Sequence, residues 1–161
     1  MSDGVKFVEL PAVNVVGVRV TAPFAELFSA VPSAWQQVFA RAAELEGRLD
    51  VGFVDCSLGE VDGLYTEVIG ARVPAGFPAP AGFDSVSLPA ATYASLSHRG
   101  DESGIAASFG TLLTWVAERE PVEGGRRWVH DGVKLDIGYL PGDAASAAGG
   151  GHVLCARVVL R

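Results

Sequence analysis

Apolar and polar residues alternate along several short stretches of the chain, and this period of two predicts β-strands. The clearest alternation opens with Leu-Pro-Ala twice, at residues 10–20 and again at residues 88–100. Residues 33–45 and 107–119 instead place apolar residues three and four positions apart, which predicts two amphipathic helices. The remaining alternating stretches are also predicted strands: 51–57, 63–73, 133–140 and 152–160.

The boundaries of the first helix follow from local signals. Ser33 and Gln36 match a capping box, so the helix is predicted to begin there. Residues 21–32 contain two prolines and are predicted to form a loop with some helical turn. In the second half, residues 122–132 are predicted to be a loop, and residues 141–151 a flexible one.

The two halves of the chain carry the same elements in the same order: strand, helix, strand, strand. The tripeptide Ala-Arg-Val also recurs near the end of each half, at residues 71–73 and 156–158. We therefore predict one domain over residues 1–161, built from copies at 1–80 and 84–161. Chance similarity of amphipathic segments is the alternative.

Two such copies predict an α+β fold with duplicated β-α-β-β half-domains and pseudo-twofold symmetry. We expect one antiparallel sheet with both helices on one face and a central ligand groove between the copies. A pocket at that seam is the default hypothesis for a binding site.

Composition narrows the class of protein. The 161 residues are 49% hydrophobic, enough for a substantial core, and the net charge is −7. Lysine occurs only at Lys6 and Lys134, and no cationic cluster is visible, which disfavours direct nucleic-acid binding. There is no signal peptide or apolar run long enough for a membrane span, so we expect a cytoplasmic protein.

Cysteine and histidine give no metal pattern. Cys56 and Cys155 both fall on predicted strands and are interpreted as small buried hydrophobes. His98, His130 and His152 lack the spacing of a ligand set and are expected to be solvated or capping residues. No nucleotide or hydrolase fingerprint is present, so we expect no metal and no cofactor.

Three stretches resemble the GyrI-like small-molecule-binding domain, also found as the effector-binding part of AraC- and MerR-type multidrug-responsive regulators. They are LPAATYASLSHRG, LLTWVAER and LDIGYLPGD. The resemblance extends over nearly the whole chain. It implies a duplicated β-α-β-β fold with a central cavity for amphipathic, often cationic, aromatic compounds. Because the two halves use up the chain, we expect a stand-alone binder without a DNA-binding segment.

The acid that the family carries in its second-half strand is usually Glu, and the matching residue here is Asp136. Tyr139 lies three residues further on, so the two side chains fall on opposite faces unless a bulge at Gly138 restores them. Glu67, which shares a strand face with Tyr65, is the alternative acid for the cavity.

A buried acid and aromatic walls would together favour a lipophilic cation. Glu67 and Asp136 are the candidate charges, with a solvated carboxylate as the alternative for each. Plain core packing is the alternative for Trp35 and Phe39. The candidate wall residues are Trp35, Phe39, Tyr65, Tyr93, Trp115, Trp128 and Tyr139.

Two functional classes remain open. The first is a non-enzymatic binder that sequesters or senses cationic aromatic drugs. The second is a hydrolase of cyclopropane-containing DNA-alkylating compounds, in which Glu67 with Tyr65 would perform the acid–base chemistry. Inhibition of a protein such as a topoisomerase follows only from the family name and has no residue support. The sequence does not indicate an oligomeric state.

Overall fold

The computed structural model describes residues 4–100, 102–141 and 151–161. The predicted flexible loop at 141–151 lies, apart from its two end residues, outside this part of the chain, and Asp101 does too. The described elements alternate between strands and two helices. They are β1 Lys6–Leu10, β2 Val13–Pro23, α1 Phe24–Ala40, β3 Phe53–Val61, β4 Leu64–Val73, β5 Asp84–Leu88, β6 Ala91–His98, α2 Ile105–Ala117, β7 Trp128–Tyr139 and β8 His152–Leu160.

The eight strands form one antiparallel sheet in the order β1-β6-β8-β7-β3-β4-β2-β5. The order is symmetric about the central β7–β3 pair. Strands β8, β6 and β1 follow β7 on one side, and strands β4, β2 and β5 follow β3 on the other. Helix α1 packs on β2 and β4, and α2 packs on β6, β7 and β8. The predicted α+β class, with an antiparallel sheet and two helices, is confirmed.

The repeated Leu-Pro-Ala sequence marks the two connections that cross between the halves. β1 pairs with β6 in the second half, whereas β5 pairs with β2 in the first. The edge strand of each copy therefore pairs with a strand of the other copy. The division at residues 1–80 and 84–161 stays a prediction.

These connections also force the sheet to curl. β1 lies at one edge of the sheet and β2 next to the opposite edge, yet only Pro11 and Ala12 join them. Such a link spans about 10 Å at full extension, so the two edges must approach each other. Accordingly, Leu10 of one edge strand and Leu88 of the other pack in the same core with Leu135 of the central β7.

The two faces of the curled sheet differ in what covers them. The inner face is filled by strand residues alone, including Cys56 and Cys155, which are buried free thiols as predicted. Burial raises the pKa of Cys56 to about 12, so this thiol stays protonated. The other face carries both helices, in two further clusters. We call it the helix face.

The predicted start of the first helix is wrong. Helix α1 begins at Phe24, nine residues before Ser33, and Pro32 lies inside it. An interior proline costs about 3 kcal/mol of helix stability. Leu27 and Val31, upstream of that proline, pack against the core of the first half, and this burial holds the early turns in place.

The loop predicted at 122–132 is shorter than expected. β7 begins at Trp128, because Trp128 and His130 continue the ladder with Leu160 and Val158 of β8. The register then shifts before Lys134, which marks a bulge in β7.

Candidate functional site

Charged side chains occupy the centre of the helix face, on strands β4, β3 and β7. The strand register aligns them in two adjacent rows. In one row, Asp55 lies between Ile69 and Asp136. In the next, Ser57 lies between Glu67 and Lys134.

We call Asp55, Ser57, Glu67, Lys134 and Asp136 the acidic floor, and the space above it between α1 and α2 the interhelical groove. Residues with the same side-chain direction on neighbouring strands lie within reach of one another. Three carboxyl groups and one ammonium therefore share this floor, which has an excess of negative charge when the carboxyls are ionised.

Asp55 is the most perturbed carboxyl of the floor. Its Oδ1 atom is buried and has no hydrogen-bond partner within the part of the chain that the structure describes. Burial raises the pKa of Asp55 well above its ordinary value, and the charge of Glu67 and a hydrogen bond shared with it raise the pKa further. Two carboxyls share such a bond when one of them holds a proton.

Asp136 belongs to a buried polar cluster at one end of the groove. His152 Nδ1 lies 2.6 Å from Asp136 Oδ1, and both residues are buried. Burial raises the pKa of Asp136, while hydrogen bonds from His152 and Tyr139 oppose that shift. Because these bonds use its lone pairs, Asp136 is less available to a ligand than Asp55.

The expectation that the histidines are solvated or capping residues is wrong for two of the three. His98 and His152 are 7% and 6% exposed. His98 Nδ1 lies 2.8 Å from Ser108 Oγ on α2, so it ties the helix to the sheet. Isolated histidines in a sequence do not reveal partners that arrive from other strands. His130 is half-buried and bonds the carbonyl oxygen of Arg157.

Gly138 forms the bulge that brings Asp136 and Tyr139 to the same face. The register of β7 against β3 shifts at this point, from Ile137 opposite Val54 to Tyr139 opposite Phe53. Gly138 has φ = 140°, and a Cβ there would lie 2.5 Å from the carbonyl oxygen of Gly151. Only glycine fits. The conditional prediction of a bulge at Gly138 is therefore confirmed.

Aromatic rings from α1 and β7 pack together beside this polar cluster. Trp35 packs on Tyr139 with ring centroids 4.4 Å apart, and stacks on Phe39 at 5.1 Å. Tyr139 in turn meets the buried His152 ring at 4.7 Å. On the α2 side, Lys134 Nζ lies 5.2 Å from the centroid of Phe109. Trp35, Phe39 and Tyr139 are half-buried, so they are partly accessible as well as packed.

The structure does not bring all the predicted wall residues to this groove. Tyr93 is fully buried on the inner face of the sheet, because strand alternation turns it away from the helices. Trp115 and Trp128 instead pack around Phe7 of the edge strand β1, at 4.9 and 5.1 Å. Tyr65 lies on the helix face beside the floor, against the exposed ring of Phe24.

Asp55 is the acid of the floor that was not among the candidates from the sequence. The sequence indicates it only weakly, because Asp55 is one acid within the otherwise apolar run Gly-Phe-Val-Asp-Cys. It lies on the same side of the strand as Phe53. Its closeness to Glu67 depends on the β3–β4 register, which the sequence does not specify.

Comparisons with known proteins identify the family to which the chain belongs. Residues 4–126 match the model of the GyrI-like small molecule binding domain. The chain belongs to this family. It is thus a member of a family of small-molecule-binding domains, as the resemblance of its sequence motifs implied.

The relatives include regulators. The chain is 32% identical over 129 residues to the transcriptional regulator BrlR of Pseudomonas aeruginosa, covering 74% of this chain and 45% of that protein. The chain therefore spans less than half the length of this curated relative.

Solved structures show the same fold. SAV2435 bound to tetraphenylphosphonium superposes with a TM-score of 0.69 at 14% identity, covering 96% of this chain and 93% of that one. The EcmrR C-terminal domain superposes with a TM-score of 0.62 at 14% identity, covering 96% of each chain. At these identities the likeness concerns the fold alone.

Tyr65 and Glu67 share a strand face, as the hydrolase alternative requires, but hydrolase activity stays a prediction. Among the described helices, none is long and apolar enough to cross a bilayer.

Proposed function

We propose that the interhelical groove binds amphipathic aromatic cations over the acidic floor, and that the chain senses or sequesters such compounds. The observation that carries the proposal is the Asp55–Glu67 pair, in which a buried carboxyl oxygen has no protein partner in the described chain. An unpaired buried carboxyl is costly, and a cation placed above it relieves that cost.

The surroundings suit a flat, apolar ligand body. The half-buried rings of Trp35 and Tyr139 offer faces to an organic cation, each worth about 0.5–2 kcal/mol. An apolar wall with few fixed donors accepts many ligand shapes, which supports broad rather than narrow specificity.

Lys134 sets a limit on the affinity. Its ammonium lies on the same floor and interacts favourably with the Asp55 charge. A bound cation must therefore tolerate or displace this internal cation. The ring of Phe109, 5.2 Å from Lys134 Nζ, offers a position in which the ammonium is kept to the α2 side.

Titration of the protein with tetraphenylphosphonium tests the proposal, with calorimetry and tryptophan fluorescence as the two measurements of binding. We expect saturable binding that Glu67→Gln and Asp55→Asn each weaken about tenfold, which corresponds to about 1.4 kcal/mol. Asp62→Asn is the matched control, because Asp62 is an exposed acid in the β3–β4 turn whose positive φ asparagine also accepts.

A neutral compound of similar shape separates charge from shape. Triphenylphosphine oxide should bind wild type and the two variants with equal affinity, because it carries no net charge. If the variants bind tetraphenylphosphonium as tightly as wild type, the acidic floor is not the cation site and the proposal fails.

A further inference from the structure

A cavity lies away from the acidic floor, between the last turns of α2 and the start of β7. It is open to solvent on one side and has a volume of about 400 Å³. Its lining includes Leu113, Val116 and Ala117 of α2 and Arg127, Trp128 and His130 at the start of β7. None of the five floor residues contributes to it. We call it the α2–β7 pocket, and its volume falls within the range of about 300–1,000 Å³ typical of small-molecule sites.

The pocket combines apolar walls with one fixed positive charge. Arg127 is the charged residue of the lining, and it donates one hydrogen bond, from Nη1 to the carbonyl oxygen of Arg119 at 3.2 Å. A guanidinium has five N–H donors in a planar fork, so donors remain for a carboxylate or sulfonate.

His130 adds a second polar group whose orientation is set. Its Nδ1 lies 2.9 Å from the carbonyl oxygen of Arg157, and since a carbonyl only accepts, Nδ1 must carry the proton. The other ring nitrogen, Nε2, takes no part in this bond.

The charges around the pocket favour an anion, although the chain as a whole carries a net charge of −7. Arg126 is exposed beside Arg127, and the Arg127 backbone pairs in both directions with that of Arg161. The neighbouring acids, Glu118, Glu120 and Glu123, are exposed and do not line the pocket.

From this geometry we infer that the α2–β7 pocket binds a small amphipathic organic anion, with its apolar body against Leu113, Val116 and Trp128 and its acid group on Arg127. The acidic floor would repel such a ligand, so the two sites sort small molecules by the sign of their charge. This site is independent of the cation site proposed above.

The test uses 8-anilinonaphthalene-1-sulfonate, an aromatic anion whose fluorescence rises in apolar surroundings. We expect saturable binding, competition by naphthalene-2-carboxylate, and no displacement by tetraphenylphosphonium. Arg127→Gln should weaken binding about tenfold. Arg126→Gln, which removes an exposed charge outside the lining, should weaken binding far less than Arg127→Gln does.

A steric variant checks the location without altering charge. Ala117→Phe should fill the pocket and abolish binding, whereas Thr114→Phe, at an exposed position of the same helix outside the lining, should not. Circular dichroism and thermal unfolding of each variant confirm that the fold is kept.

Equal affinity of wild type and Arg127→Gln, or displacement of the anion by tetraphenylphosphonium, would overturn the inference. Glu67→Gln separates this site from the first, since it should weaken the phosphonium cation and leave the sulfonate unaffected. If wild type binds the phosphonium cation but not the sulfonate, the anion site alone is wrong. If it binds the sulfonate but not the phosphonium cation, the cation site alone is wrong.

Discussion

Replacing Asp55 by asparagine should make the protein more stable at neutral pH. Asn keeps the shape of the side chain but removes the charge that the fold disfavours. Burial and the neighbouring Glu67 raise the pKa of Asp55 well above its ordinary value of 3.8. The unfolded chain ionises freely above that pH, whereas the folded chain resists ionisation.

The sign and size of the effect follow from proton linkage. A carboxyl whose folded-state pKa is raised contributes stability below its unfolded pKa and loses it as pH rises through the folded value. The loss is about 1.4 kcal/mol for each pH unit between the two values. The advantage of Asp55→Asn over wild type should therefore grow by about that amount per pH unit above about pH 4. It should become constant once Asp55 is ionised in the folded protein.

Urea unfolding followed by circular dichroism, at steps from about pH 4 to about pH 8, measures this difference. Asp62→Asn is the control, and its difference from wild type should stay flat because Asp62 is exposed. A flat difference for Asp55→Asn as well, or a variant less stable than wild type at neutral pH, would refute the reasoning.

Three further predictions test the same site. Gly138→Ala should destabilise the fold by about 2–4 kcal/mol, because its Cβ would meet the Gly151 carbonyl. The control Gly110→Ala, in open space on α2, should instead stabilise the fold by about 0.5–1 kcal/mol. Thermal unfolding compares the two variants, and equal effects would count against the bulge at Gly138. Lys134→Met should tighten tetraphenylphosphonium binding about three- to tenfold in calorimetry by removing a like charge, and weaker binding would contradict that role. Cation binding should release protons from the Asp55 carboxyl and strengthen as pH rises, which calorimetry in buffers of different ionisation enthalpy detects; no proton release would mean that Asp55 does not meet the cation.

Local pattern was enough to predict most of the sheet and the existence of both helices. Strand alternation accounts for Tyr93 on the inner face of β6 and His98 on the helix face, where it meets Ser108 of α2. The repeated Leu-Pro-Ala indicated a duplication, although its role as a crossing connection depends on which strands pair. The start of α1 was not predictable from local signals, because core packing there outweighs a proline inside the helix.

The site was less predictable than the fold, for a physical reason. The floor residues come from three strands, β3, β4 and β7, and their neighbours across the sheet are set by strand register rather than by sequence spacing. Glu67 and Asp136 were found from their own strands. Asp55 emerges only when β3 is placed between β4 and β7, and His152 only when β8 is placed beside β7.

The position of a bound cation can be measured directly. Tetraphenylarsonium has the shape and charge of the phosphonium compound, and the anomalous scattering of its arsenic atom locates the ion in a crystal of the complex. Binding over the acidic floor predicts one main anomalous peak between α1 and α2, above the carboxyl groups of Asp55 and Glu67. A peak elsewhere, such as beside the exposed rings of Phe24 and Phe28, with the groove empty, would contradict it.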